Sequence, residues 1–231
     1  MRWTDPIVQA LFWSSATIAF YWLGKRLDRR LGRWWTAPMI VAPALLIALA
    51  LILHESYGAY IHDTHWLVAL LGPAMVAFAI PVWEQRALIR RHWPVLLAAI
   101  LAGSVTAMAS VWGLSEILGV DGALRLSLMP RSMSTPFAMT VSADFGGIPS
   151  LTAVFTVVTG ILGASLGGLL LRVLPVRSNL ARGAVLGMGA HGVGVARAHG
   201  LGREEGSVAG LVMVLVGVVN VLAAPLVAWL L

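Results

Sequence analysis

Apolar residues fill this chain in runs far longer than a buried strand needs, separated by short polar breaks. Runs near 7–23, 35–53, 66–83 and 94–118, and again near 151–171 and 207–231, are each long enough to cross a bilayer core of about 30 Å as a helix. They are too long for barrel strands, so the pattern predicts an all-α integral membrane protein, a bundle of about six to eight spans. Two polar stretches interrupt the pattern. One is Leu128-Met129-Pro130-Arg131-Ser132-Met133-Ser134-Thr135-Pro136-Phe137-Ala138-Met139; the other is Gly187-Met188-Gly189-Ala190-His191-Gly192-Val193-Gly194-Val195-Ala196-Arg197. Irregular backbone at membrane depth survives only where protein covers it or where it lines a cavity. Paired interruptions of this kind point to a transporter binding site.

Charge sets the expected topology. Lys25, Arg26, Arg29, Arg30 and Arg33 follow the first run, and Arg86, Arg90 and Arg91 follow the third. The connection from His54 to His65 has neither Lys nor Arg. The positive-inside rule then places the N-terminus outside. The clean run 151–171 leads to Arg172, Arg177 and Arg182, which read as cytoplasmic. Parity requires 126–150 to dip in and return, or to cross twice. Two units, about 127–174 and 183–231, thus enter from opposite faces, as an inverted repeat does. The chain reads as a single domain over 1–231, with N-terminal spans in 1–125 and a motif-bearing region in 126–231. The start of the chain does not read as a cleavable signal: Asp5 and Pro6 precede the first run, which ends at Gly24-Lys25-Arg26 with no small-residue cleavage site.

Composition narrows the chemistry. Hydrophobic residues make up 59% of the chain and charged residues 11%, where a soluble domain averages about 25% charged. There is no cysteine, so disulfides and thiolate metal sites are excluded. The net charge of +6 comes from arginines dispersed in short loops, which fits topology rather than nucleic acid. The tryptophans cluster near span ends, as an interfacial belt does. No nucleophile elbow, zinc-protease helix or phosphate-cradling loop is present, so neither an enzyme nor a cofactor is expected. His54, Glu55, His62, Asp63 and His65 lack the spacing of a zinc signature, and no metal is expected.

The two breaks hold the candidate site. Pro130 and Pro136 disfavour helix before them. A helix restarting at Thr135-Pro136, with Thr135 as cap, would aim free N–H groups at an anion. Ser132 and Ser134 add hydroxyls, and Arg131 adds a fork that suits a carboxylate. The same composition also suits an outer loop followed by a capped helix. In the second break Gly189, Gly192 and Gly194 allow close backbone approach. His191 could donate to a substrate or carry a coupling proton, or simply bond neighbouring backbone; Arg197 follows it. Further coupling candidates are Glu204, Glu205 and Asn220, the last expected to bond across helices. Gly146 and Gly147 read as a hinge with Asp144 as a cap, and Gly160 and Gly163 as helix-packing positions.

These motifs resemble the LrgB/CidB membrane family. The resemblance rests on Met129 to Met139, on Gly146-Gly147-Ile148-Pro149-Ser150 to Phe155, on Thr159-Gly160-Ile161-Leu162-Gly163-Ala164, on Ala181-Arg182-Gly183, and on His191-Gly192-Val193-Gly194-Val195-Ala196-Arg197 with Glu204-Glu205-Gly206. Leu71-Gly72-Pro73-Ala74 to Pro81 fits as well. Arg131 stands where the family commonly has lysine, and Ala190 and Val195 replace hydroxyl residues. The resemblance implies one of two functions, and the paired breaks make the first the leading expectation and the second the alternative. One is transport of small monocarboxylates of the pyruvate, glycolate or glycerate class, as in the LrgB-like half of the plastid transporter. The other is holin/antiholin-like regulation of murein hydrolase export and lysis. It also implies the bacterial cytoplasmic membrane with its lipid, and a small LrgA/CidA-type partner. Self-association is left open.

Overall fold

The computed structural model describes residues 6–32 and 34–230; Arg33 of the topology argument and Asp5 of the signal argument lie outside them. Helix dominates, and no strand occurs among the described residues. Among the described residues, five stretches are long and apolar enough to cross a membrane: Pro6–Leu31, Tyr57–Glu84, Arg86–Leu118, Pro149–Val173 and Arg203–Leu230. Large apolar side chains along them point outward, Ile117, Val173 and Leu222 among them. Such a surface is stable against hydrocarbon, not water.

The chain forms two compact units, up to Ala74 and from Met75. In the first, α1 (Pro6–Leu31) packs against α2 (Pro38–Leu53) and α3 (Tyr57–Ala69). Gly24 lets the main chain of Pro38 approach, where an added Cβ would lie 3.0 Å from the Pro38 Cα. Trp66 donates its indole N–H to Ser14 at 2.8 Å, and Thr17 pairs with Tyr60 at 3.0 Å. In this unit His62 meets Asp63 at 3.2 Å. Among the described residues, no group of three His, Asp or Glu is placed to hold a metal.

The breaks lie in the second unit. After α4 (Leu71–Ala77), which straddles the boundary, come α5 (Ala79–Glu84) and α6 (Arg86–Leu118). α7 (Gly122–Leu128) and a 3-10 turn (Met129–Ser132) then lead to α8 (Thr135–Asp144) and α9 (Pro149–Val173). The arms on either side of the first break lie side by side. Thr152 on α9 bonds both the Ser127 carbonyl at 2.8 Å and the Ser142 hydroxyl at 2.7 Å. The chain therefore descends to the 3-10 turn and returns, a re-entrant hairpin with its tip at Arg131–Ser134.

The second break is a hairpin too. α10 (Asn179–His199) has one non-helical residue, His191, with φ 48° and ψ −127°. There it folds back so sharply that Gly194 packs on the Leu186 carbonyl. The first arm runs parallel to α11 (Arg203–Leu230), with Gly183 against Glu205 and Gly187 against Ala209. The return arm runs antiparallel to α11, with Val195 near Gly210 and His199 against Gly206. Gly187 and Gly194 provide the close backbone approach that the sequence suggests, but the break itself falls at His191 and not at a glycine.

Each hairpin precedes a long helix, and the two pairs enter from opposite faces, as expected for an inverted repeat. The tips cross onto each other's long helices. The Phe137 ring, in the first turn of α8, fills the space where Gly217 of α11 has no side chain. The Gly189 carbonyl does the same against Gly163 of α9. Both glycines stand fourteen residues beyond the first residue of their helix. At about 1.5 Å per residue that is roughly 21 Å, so both tips lie near mid-depth.

Candidate functional site

The two tips touch. The His191 imidazole lies against the main chain of Ser132, within electrostatic reach of the Arg131 guanidinium. His191 is 3% exposed, and its Nε2 has no hydrogen-bond partner. Ser134 is 6% exposed, and its hydroxyl is likewise unpartnered. Arg131 is half-buried; its one hydrogen bond among the described residues is a long 3.5 Å contact to Ser132. The arginines in ion pairs among the described residues are Arg125 and Arg182. A cation at membrane depth without a counter-charge is costly. Unpaired buried polar atoms add about 1–3 kcal/mol each.

The start of α8 adds donors. Its cap is Ser134, one residue before the Thr135 that the sequence suggested, and the Ser134 side chain does no capping. The first main-chain bond runs from the Ala138 N–H to the Ser134 carbonyl at 2.9 Å. Thr135 and Phe137 thus precede the helical ladder with their N–H groups, while Pro136 has none to offer. The positive end of the helix dipole joins Arg131 at one point. Met129, Met133, Phe137, Val212 and Val216 form the apolar surroundings.

Other expected site residues lie elsewhere. Pro130 is buried beside the first tip. Gly192 is exposed on the return arm. Arg197 is exposed, with its guanidinium beside Gly168, toward the hairpin base. Glu204 accepts from Asn179 at 2.7 Å and Glu205 lies 3.8 Å from Arg182, both at that base. Asn220 donates to Ser104 on α6 and to the Val216 carbonyl, both at 2.8 Å, and so does bond across helices. Gly160 faces Val193 of the second tip. Gly146 takes a positive φ of 79° after α8. Gly147 lies where a Cβ would meet Ser142 and Ser127. Asp144 does not cap α9; Ser127 takes the Ile148 N–H at 2.7 Å instead. The Ser127–Ser142–Thr152 cluster that ties the first hairpin was not singled out in the sequence, where Ser127 lies far from the other two.

Opposed re-entrant hairpins within a multi-pass helical bundle define a membrane-embedded protein. The model of the LrgB-like family matches residues 17–230, and the chain belongs to that family. It is 35% identical to the uncharacterized protein YxaC of Bacillus subtilis (strain 168), over 93% of each chain. It is 32% identical to the antiholin-like protein LrgB of the same strain, over 96% of each. To the holin-like protein CidB of Staphylococcus aureus (strain Mu50) it is 28% identical, again over 96% of each. No solved structure matches it.

Proposed function

We propose that this protein is a holin/antiholin-like regulator of the cell envelope that acts through an anion site at its two hairpin tips. The names of its LrgB and CidB relatives support this class better than the carrier reading, since neither names a transported substrate. One observation carries the anion site: Arg131 sits at mid-depth with no carboxylate partner, beside unpartnered Ser134 and His191 atoms and the start of α8. The setting is the bacterial cytoplasmic membrane with the N-terminus outside, and an LrgA/CidA-type protein is the natural partner.

The same centre favours a second reading, a carrier of small monocarboxylates. A guanidinium fork with two main-chain N–H groups suits a planar carboxylate. Proteoliposomes separate the two. A carrier takes up labelled pyruvate or glycolate with saturation and excludes unrelated solutes. A lytic assembly releases solutes of several kinds without saturation. Arg131→Gln abolishes either activity if the tips are its seat. Wild-type rates in a folded Arg131→Gln protein would remove the site from both readings.

A further inference from the structure

A second feature of this unit opens on its surface and reaches the first turn of α8. An apolar groove of about 660 Å³ runs between α5, α6 and α11. Phe78, Val82, Ile89, Phe137, Val214 and Val218 line it, and Trp83, Arg86 and Arg90 stand at its mouth. Arg86, Arg90 and Arg91 share an adjoining shallow pocket with a single carboxylate, Glu84. Arg86 is held in place, stacked on the Trp83 ring at 4.6 Å and donating to the Trp83 carbonyl at 2.9 Å. Neither Arg90 nor Arg91 forms an ion pair among the described residues.

The groove covers half the membrane. α6 and α11 run parallel, joined by the 2.8 Å bond from Asn220 to Ser104. Arg86 opens α6 and Arg203 opens α11, so the two ends are level. Val218 lies fifteen residues beyond Arg203, about 22 Å deeper, and Phe137 closes the floor at mid-depth. That depth suits one leaflet; a partner helix would need a groove crossing the whole core of about 30 Å.

We propose that the groove holds an acyl chain of an anionic phospholipid whose headgroup rests on Arg86, Arg90 and Arg91. Exposed Trp83 marks the headgroup level, as interfacial tryptophans do. The Phe78 and Phe137 rings, 5.7 Å apart, make the chain terminus bear on the first turn of α8. Lipid occupancy therefore acts on the helix that builds the first tip.

The test uses the full chain in vesicles of phosphatidylglycerol or phosphatidylcholine with identical tails, one tail carrying a diazirine near its end. Labelling is expected on the peptides holding Phe78–Ile89 and Val214–Val218, in phosphatidylglycerol above phosphatidylcholine. An arginine near an anionic surface contributes about fivefold. The double variant Arg86→Gln/Arg90→Gln should thus bind phosphatidylglycerol roughly 25-fold more weakly in native mass spectrometry, with phosphatidylcholine binding unchanged. Val218→Trp, which fills the groove, should lose the label. Equal labelling by the two lipids in the wild-type protein, label confined to other peptides, or cross-links joining Val218 of two copies would overturn the proposal.

Discussion

Replace His191 by alanine and, separately, by glycine. Both variants lose the imidazole and every contact it makes, so their difference isolates the main chain. His191 holds φ 48° and ψ −127°, a conformation that favours glycine and that costs a residue with a side chain about 1–3 kcal/mol. Alanine keeps that strain and glycine removes it. Glycine gives back about 0.4–1 kcal/mol through the freedom of its unfolded chain. The net advantage of glycine is about 0–2.5 kcal/mol, where in an ordinary helix alanine wins by about 0.5–1 kcal/mol. For a chain of this size 1 kcal/mol moves the melting temperature by about 2–4 °C. Thermal unfolding in detergent should place His191→Gly level with His191→Ala or above it by up to about 10 °C. If alanine exceeds glycine, the sharp fold at the second tip is not there, and the opposed hairpins go with it.

The other predictions test the contacts around the tips. Gly163→Ala pushes a methyl group into the Gly189 carbonyl and should destabilise by about 1–3 kcal/mol. Gly189→Ala has nothing within 4 Å of its new methyl and should be neutral or mildly stabilising; thermal melts of the pair check the contrast. Thr152→Val removes the hydroxyl that bonds both Ser127 and Ser142 and should cost about 1–3 kcal/mol, read as a lowered melting point with the helical circular dichroism retained. Arg131→Gln should weaken carboxylate binding about 10–100-fold, the worth of a charged hydrogen bond, while Arg131→Lys keeps the charge, loses the fork and falls between. Isothermal titration with pyruvate measures both.

Much of this architecture was legible in the sequence because the bilayer leaves so few options for a backbone. The runs 94–118, 151–171 and 207–231 became α6, α9 and α11, and the parity of charged loops required 126–150 to dip and return or to cross twice. What the sequence concealed was local. Nothing in Gly187 to Arg197 says that the glycines stay helical while a histidine takes the left-handed conformation; composition pointed to the glycines. Thr135 directly before Pro136 reads as the cap, yet the cap is Ser134 and Pro136 takes the second helical position. Arg197, Glu204 and Glu205 share a motif with His191, yet the hairpin carries them back to its base, a separation that only three-dimensional folding produces. Ser127 was hidden because one serine in a short helix has no pattern until Thr152 and Ile148 are brought to it.

The crossing of the tips bears on how solutes could pass. The first hairpin rests on α11 and the second on α9, so an anion at Arg131 and His191 is held by both repeats at once. Neither hairpin base is open: Ser127, Ser142 and Thr152 tie one, and Arg182–Glu205 with Asn179–Glu204 tie the other. Between base and tip the walls are apolar, with Met133, Val141, Val208 and Val212 buried there. A continuous polar path through one copy therefore requires the repeats to move apart, while a lytic pore can instead form between copies. The two routes differ in concentration dependence. Release that rises linearly with protein per vesicle belongs to a single chain that opens between its repeats. Release that rises with a higher power belongs to an assembly of several copies.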